Sequence, residues 1–360
     1  MKKCTSIGGQ ALIEGIMMKG PYKTVMAVRA PDGSITTEEQ SDKRLINKSK
    51  VFKVPLIRGA VNFIDALISG YKALMRSADL SGLTDLEEEE ENKKAAEKKA
   101  AKAKRKAAHE GKSEQEQNEI YEAVLNDALA EKTDEEKQKS KKATDRLISA
   151  LMIVATVLGV VIAVFLFMYL PAKLFNLING AAGNSISYLR ALFEGILKII
   201  IFLLYIVLVS KTPDIKRVFM YHGAEHKSIA CYENGLELTV ENVQKQTRFH
   251  PRCGTSFMIV MLIVGILFTF LLQTVFPVVT TILPLWVAVK ILILPIICGL
   301  GYEFIRYCGR HDNALTKILA APGLWTQRIT TKPPSDDMCE VAITALCAVI
   351  PDDGSDTIKK

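Results

Sequence analysis

Residues 147–170, LISALMIVATVLGVVIAVFLFMYL, run without a single charged side chain. At 1.5 Å of rise per residue a helix of this stretch reaches roughly 36 Å, enough to cross a hydrocarbon core of about 30 Å with some tilt. Working outward, residues 191–210 form a second apolar run with Glu194 and Lys198 near its start. Residues 255–276 form a third, whose strongest polar group is Gln273. Residues 282–302 form a fourth, interrupted by Pro284, Lys290 and Pro295 but too apolar to lie in water. The expected fold is therefore an α-helical integral membrane protein with about four transmembrane helices. A small α+β cytoplasmic part is expected from the N-terminal segment, the loop between spans two and three, and the C-terminal helices.

Lysine and arginine set the orientation. Lys137, Lys139, Lys141, Lys142 and Arg146 precede span one, and Lys211, Lys216 and Arg217 follow span two. Arg248 and Arg252 precede span three, and Arg306 and Arg310 follow span four, whereas the two outer connectors hold only Lys173 and Arg190. The positive-inside rule then predicts a multi-pass membrane protein with both termini and the segment 211–254 cytoplasmic. The chain divides into an N-terminal segment (1–84), a charged low-complexity insertion (85–145), spans one and two (146–210), a cytoplasmic loop (211–254), spans three and four (255–302) and a C-terminal helical segment (303–360).

Of the 360 residues 49% are hydrophobic and the formal charge is +7, but much of that basic excess flanks the apolar runs. Orientation in a membrane accounts for it more economically than nucleic-acid binding does. The lipid bilayer is the expected partner, with a second membrane protein or another copy of the chain as further candidates. The seven cysteines are odd in number and form no C-x-x-C pair, which fits a reducing compartment. No apolar segment precedes Cys4, so neither a lipoprotein cysteine nor a cleavable leader is expected and span one serves as the membrane signal.

In the N-terminal segment, residues 24–30 and 34–38 flank Pro31-Asp32-Gly33, which predicts a β-hairpin. Apolar residues at helical spacing predict an amphipathic helix over residues 58–78, packed on the hairpin or resting at the membrane surface. The insertion, with five acids at 87–91 and a lysine- and alanine-rich stretch after it, reads as a solvated helix or disordered segment. Toward the C-terminus, residues 320–328 read as a rigid turn leading into a helix, and residues 338–349 as a helix with Cys339 and Cys347 as small core residues.

Chemistry concentrates in the loop after span two. Thr212-Pro213 offers a helix start and Asn234-Gly235 a stop, and the helix between them carries His222-x-x-Glu225-His226. The imidazoles fall at i and i+4, close enough to share one metal, on a stripe with Ile215, Val218, Phe219 and Ile229. In metallohydrolases with this H-x-x-E-H order the glutamate takes a proton from water that the metal acidifies, which makes Glu225 the candidate catalytic base. The competing reading is two satisfied histidines in a packing face. Candidates for further ligands are His250 and Cys253 in His250-Pro251-Arg252-Cys253-Gly254, Glu303 after span four, and His311. If His250 and Cys253 both join the pair, the divalent-metal site, with zinc favoured, is closed and structural; with one added ligand it keeps an open position.

Lys290 lies within span four, where an isolated cation costs on the order of 2.5–3.5 kcal/mol. Glu194, about one helical turn away in depth, is its expected partner, as a structural ion pair or as the centre of a small oligomeric transporter. Arg252, Arg306 and Arg310 are expected to meet an anionic substrate or, more economically, lipid headgroups.

Together Gly8-Gly9-Gln10-Ala11, Ile13-Glu14-Gly15, Met17-Met18, Tyr221-His222-Gly223-Ala224-Glu225-His226-Lys227, His250-Pro251-Arg252-Cys253-Gly254-Thr255-Ser256 and Pro322-Gly323-Leu324-Trp325 resemble the YqhQ-like bacterial membrane proteins. The resemblance spans nearly the whole chain apart from the charged insertion. It implies a domain of unknown function whose members are described as predicted metal-dependent enzymes. It supports a metal at His222 and His226 and names no substrate. A metal-dependent hydrolase at the membrane surface, a membrane adaptor or regulator with a structural metal site, and the transporter remain three separate expectations.

Overall fold

The computed structural model describes residues 4–40, 45–129, 154–310 and 313–357. The first residues of the 147–170 run, the basic residues from Lys137 to Arg146, and His311 lie outside them. The chain folds as two units, Met1–Ser81 with Ala163–Lys360, and Gly82–Ile162.

In the first unit, β1 (Gly8–Leu12), β2 (Gly15–Lys19), β3 (Thr24–Arg29) and β4 (Ile35–Gln40) form an antiparallel sheet in sequence order. The predicted hairpin is its second half, turning at Gly33, whose φ of +84° suits glycine. Alternation along the strands sorts side chains to two faces. Ile16, Met18, Val25 and Ala27 enter one buried cluster, whereas Met17, Met26 and Val28 enter another with Leu12 and Ala73. A strand buried on both faces needs cover on both. On one side it comes from Tyr221, Ala224 and Ile229 and from Met338, Ala342 and Leu346. On the other it comes from α1 (Ile57–Leu80) through Ala73, Leu74 and Leu80. The opposite stripe of α1, with Ile64, Leu67, Ile68, Tyr71 and Met75, is exposed.

The second unit contains α2 (Leu83–His109) and α3 (Glu114–Leu129), packed against each other. Ala96, Ala100 and Ala107 of α2 are buried. The insertion is thus helical over 83–109 and 114–129, and its alanines serve close packing as well as helix propensity. Residues 130–145 lie outside the described part.

Three helices are long and apolar enough to cross a membrane: α4 (Val154–Ala181), the helix containing α5 (Arg190–Val209), and, further on, residues Gly254–Val275. The expected fourth span is a bent pair, Leu283–Leu292 and Leu294–Cys308, meeting at 43°. Pro295 explains the break, because it lacks the N–H that would continue the ladder and its ring crowds the turn before it. Among the described residues there are three such helices, or four if the bent pair is one span. After α5 come α6 (Pro213–Glu233), α7 (Val240–Gln244), α8 (Gly254–Val275), α9 (Leu283–Leu292), α10 (Leu294–Arg310), α11 (Ala314–Thr330) and α12 (Asp336–Cys347).

Two expectations near the C-terminus are corrected. Residues 320–328 do not form a turn: Pro322 lies inside α11, which starts at a capping box of Asn313 and Thr316. Close packing on α8 overrides the proline, since a Cβ at Gly323 would fall 2.6 Å from Ser256. Cys339 is buried, but Cys347 is exposed and belongs to no core.

Candidate metal centre

α6 begins at Pro213 and ends at Glu233, and just past it Gly235, with a φ of +69°, lets the Leu236 N–H return to the Cys231 carbonyl at 3.2 Å. Thr212 does not cap it with its side chain; its hydroxyl donates to the Val209 carbonyl at 2.8 Å. At Gly223 a Cβ would sit 2.0 Å from the Lys332 carbonyl oxygen, so glycine is required where the segment after α11 crosses α6. The crossing is fixed by the Lys332 N–H donating to the Phe219 carbonyl at 2.8 Å.

That crossing brings a backbone acceptor to His222. Its Nδ1 lies 2.9 Å from the Thr330 carbonyl, and Nδ1 of His226 lies 2.6 Å from the Arg248 carbonyl. A carbonyl only accepts, so each Nδ1 carries the hydrogen and each Nε2 is left with a lone pair. The Nε2 of His222 lies 3.2 Å from the Cys253 sulfur, and the two rings sit with centroids 4.4 Å apart. Donor atoms of His222, His226 and Cys253 all lie within 4.8 Å of one another. Cys253 is the N-cap of α8, and its sulfur accepts from the Thr255 N–H at 3.5 Å and meets Thr255 Oγ1 at 3.2 Å. The positive end of the helix dipole therefore faces the sulfur. Two imidazole lone pairs and one sulfur make a donor set suited to a borderline-soft divalent ion such as zinc.

Glu225 is buried beside this group, its Oε2 4.0 Å from the His222 Nε2. Burial raises its carboxyl pKa, opposed by His222 and by the Gly9 backbone N–H, which donates to it. A Cβ at Gly9 would fall 2.9 Å from Glu225 Cγ. The Gly8-Gly9-Gln10 motif thus lets β1 close over the carboxylate, a contact the sequence reading did not anticipate.

His250 is near but turned away. Its ring centroid is 5.7 Å from that of His226, while its Nε2 lies 3.6 Å from Glu233 Oε2 and 3.3 Å from Arg252 Nη2. Burial would raise the Glu233 carboxyl, but His250, the Arg252 charge and the Thr5 N–H hold it down at about 2. The His250 backbone is gripped by Gln327, which accepts from its N–H at 2.8 Å and donates to its carbonyl at 2.7 Å. Arg252 is not free for a headgroup: it binds Glu233, the Thr5 carbonyl at 2.5 Å and the Cys4 sulfur at 3.0 Å. Glu303 lies outside the cluster and is paired with Arg58 of α1, whose Nε donates to it at 2.5 Å; Arg306 is 4.0 Å away. Sequence reading also missed Glu14, which binds Arg217 at 2.5 Å and Tyr221 at 3.1 Å, tying the β1–β2 turn to α6.

Far along the chain, Glu194 and Lys290 meet as a buried hydrogen-bonded ion pair. The Trp286 Nε1–H also donates to Glu194 at 3.0 Å, and Arg190 Nε lies 3.9 Å from it.

A helix-borne pair of oriented imidazoles, a sulfur at the N-terminus of α8 and helices apolar enough to cross a membrane define a mostly helical fold with a cluster that could hold a metal, without defining a reaction. The family model described as "Protein of unknown function (DUF1385)" matches residues 54–352. The chain is also 33% identical over 339 residues to "Uncharacterized protein YqhQ" of Bacillus subtilis (strain 168), covering 93% of this chain and 89% of that one. No solved structure matches. The chain belongs to the DUF1385 family, in the YqhQ-like group.

Proposed function

We propose that the protein is a multi-pass membrane protein whose sheet-bearing part lies on the cytoplasmic side and holds a divalent metal, preferably zinc, on His222, His226 and Cys253. The observation that carries this reading is the pair of Nδ1–H···carbonyl bonds to Thr330 and Arg248, which leave both Nε2 lone pairs available in a group whose donor atoms, with the Cys253 sulfur, lie within 4.8 Å of one another. Buried polar groups need partners, and two lone pairs beside a sulfur are supplied by a shared cation. The apolar surfaces of α4, α5 and α8, together with the exposed stripe of α1, fit immersion in lipid and its headgroup boundary.

With His250 turned to Glu233, three protein donors remain, the number found in zinc sites that keep a position for substrate. A bound metal would supply Lewis acidity there. Glu225, held by the Gly9 N–H and beside His222, is the residue suited to accept and return a proton, which makes hydrolysis at the membrane surface the natural reaction class. A structural metal site in an adaptor or regulator is the second reading. It is favoured by the burial of His226, Cys253 and Glu225, which are at most 7% exposed.

Metal analysis of the purified full-length protein, with cobalt substitution, tests the site. Wild type should bind one equivalent per chain and show a thiolate-to-cobalt charge-transfer band; His226→Ala should lose the metal and Cys253→Ser the band. Equal, negligible metal in wild type and His226→Ala ends the proposal. Glu225→Gln should retain metal in either reading, but only an enzyme loses cellular function with it.

A further inference from the structure

The second polar cluster has an excess of cations. Arg190, Glu194 and Lys198 follow one another at i, i+4 and i+8 on one face of α5, and Lys290 of α9 reaches the same place. Among the described residues Glu194 is the one carboxylate they meet, and its oxygens are already engaged by Lys290 and Trp286, with Arg190 close by. Arg190 spends its remaining donors on the Thr280 carbonyl and Asn176. Lys290 also lies over the Trp286 ring, 4.7 Å from its centroid. Lys198 differs. Among the described residues no hydrogen bond or ion pair meets its ammonium, which feels the Glu194 charge only through space, and it lines a cavity of about 270 Å³ together with Lys290.

The remaining wall of that cavity is almost wholly apolar, with Phe202, Phe257, Met261 and Ile266 prominent. Thr269 also lines it, but its hydroxyl donates to the Gly265 carbonyl at 2.8 Å and so stays within its own helix. An ammonium without a hydrogen-bonding partner among apolar helices is costly, and lysines so placed mark a ligand path or seek a closer counter-charge. Snorkelling to the interface is the usual escape, yet Lys198 sits in the middle of α5 with its side chain on the cavity. The wall suits an alkyl chain, and the cation suits an acidic head.

We propose that this cavity binds an anionic amphiphile, with the alkyl chain against Phe202, Phe257 and Met261 and the acidic head accepting hydrogen bonds from Lys198. A fatty-acid carboxylate and a phospholipid phosphate share that chemistry. The inference rests on the apolar helices of the proposed membrane reading and is independent of the metal centre, whose loss in His226→Ala would leave it standing.

Trp286 reports on the site, because it lies beside Lys290 and the only other tryptophan, Trp325, is exposed and replaceable by phenylalanine. In full-length Trp325→Phe protein in an uncharged detergent, a bromine-tagged dodecanoate should quench Trp286 with at least about tenfold higher affinity than the matching bromine-tagged dodecanol. Lys198→Met should abolish that preference and Lys198→Arg should keep it. Competition then separates the sources: displacement by dilauroyl phosphatidylglycerol but not by its phosphatidylcholine counterpart assigns a phospholipid, and displacement by unlabelled dodecanoate alone assigns a fatty acid. Equal binding of dodecanoate and dodecanol to the wild-type site overturns the proposal, and this comparison needs no variant to fold. A preference that persists unchanged in Lys198→Met overturns it as well.

Discussion

The two polar clusters are opposite in kind. Around His222 the protein turns lone pairs inward: both imidazoles spend their Nδ1 hydrogens on carbonyls, and the Cys253 sulfur lies 3.2 Å from the His222 Nε2. Around Glu194 it turns hydrogens inward: Lys290 and the Trp286 N–H bond the carboxylate, Arg190 Nε lies 3.9 Å away, and Lys198 feels its charge only through space. A cluster of acceptors attracts a cation and a cluster of donors attracts an anion. The two clusters thus offer opposite chemistry to the ligands proposed for them, and each is held by different supports. Backbone carbonyls and a glutamine-gripped loop hold the first, while one salt bridge inside apolar helices holds the second.

The largest expected effect follows from that last difference. Glu194→Gln removes the single negative charge and leaves Lys290 and Arg190 buried without it, which should cost about 3–5 kcal/mol. Lys290→Met alone should also destabilise, whereas Glu194→Gln with Lys290→Met should cost clearly less than the sum of the two. Thermal unfolding in detergent measures all three. Strict additivity would mean that the pair does not act as a unit, and the contrast between the clusters would fail at its strongest point.

The acceptor cluster should instead respond to acid through Glu233. Its folded pKa, about 2, lies below the ordinary value of 4.5, so its contribution is present above pH 4.5 and is lost as the pH falls toward 2. The shift corresponds to about 3 kcal/mol at neutral pH. Wild type should outlast Glu233→Gln by that order at pH 7, and the gap should close as the pH approaches 2. A gap that stays constant with pH would show that Glu233 does not titrate with the fold.

Both clusters were legible in the sequence to different depths. His222 and His226 could be paired from spacing alone, because a helix fixes i and i+4 together. Glu194 and Lys290 could be paired by counting depth along two apolar runs. What selected Cys253 over His250 was not legible. It depends on Glu233 and Arg252 capturing the His250 ring, and on a Thr330 carbonyl brought from 108 residues away. Backbone acceptors leave no trace in residue identity. Lys198 was visible only as a charge near the start of a span, since the lack of a hydrogen bond to its ammonium among the described residues appears once the other helices are in place. Pro322 misled for a related reason: local propensity gave way to the packing of Gly323 on Ser256.

Gln327 probes the support of the acceptor cluster at intermediate strength. Gln327→Leu removes both bonds to the His250 backbone and the bond to Ser256 at 3.0 Å. The orphaned buried groups should cost about 1–3 kcal/mol. The loosened loop should also lower metal affinity, while binding at the donor cluster stays unchanged.

The smallest effect should come from Thr255→Val, which keeps the shape of the side chain and removes the hydroxyl 3.2 Å from the Cys253 sulfur. Thr255 sits in the first turn of α8 and is partly exposed, so the stability change should stay below about 1 kcal/mol. Partners that orient a ligand atom tune the metal more than the fold, and their loss typically lowers affinity about 10–100-fold. Competition with a chelator of known affinity would read this directly. A Thr255→Val protein that holds its metal as tightly as wild type would place the sulfur outside the coordination sphere, and the acceptor cluster would then reduce to two histidines.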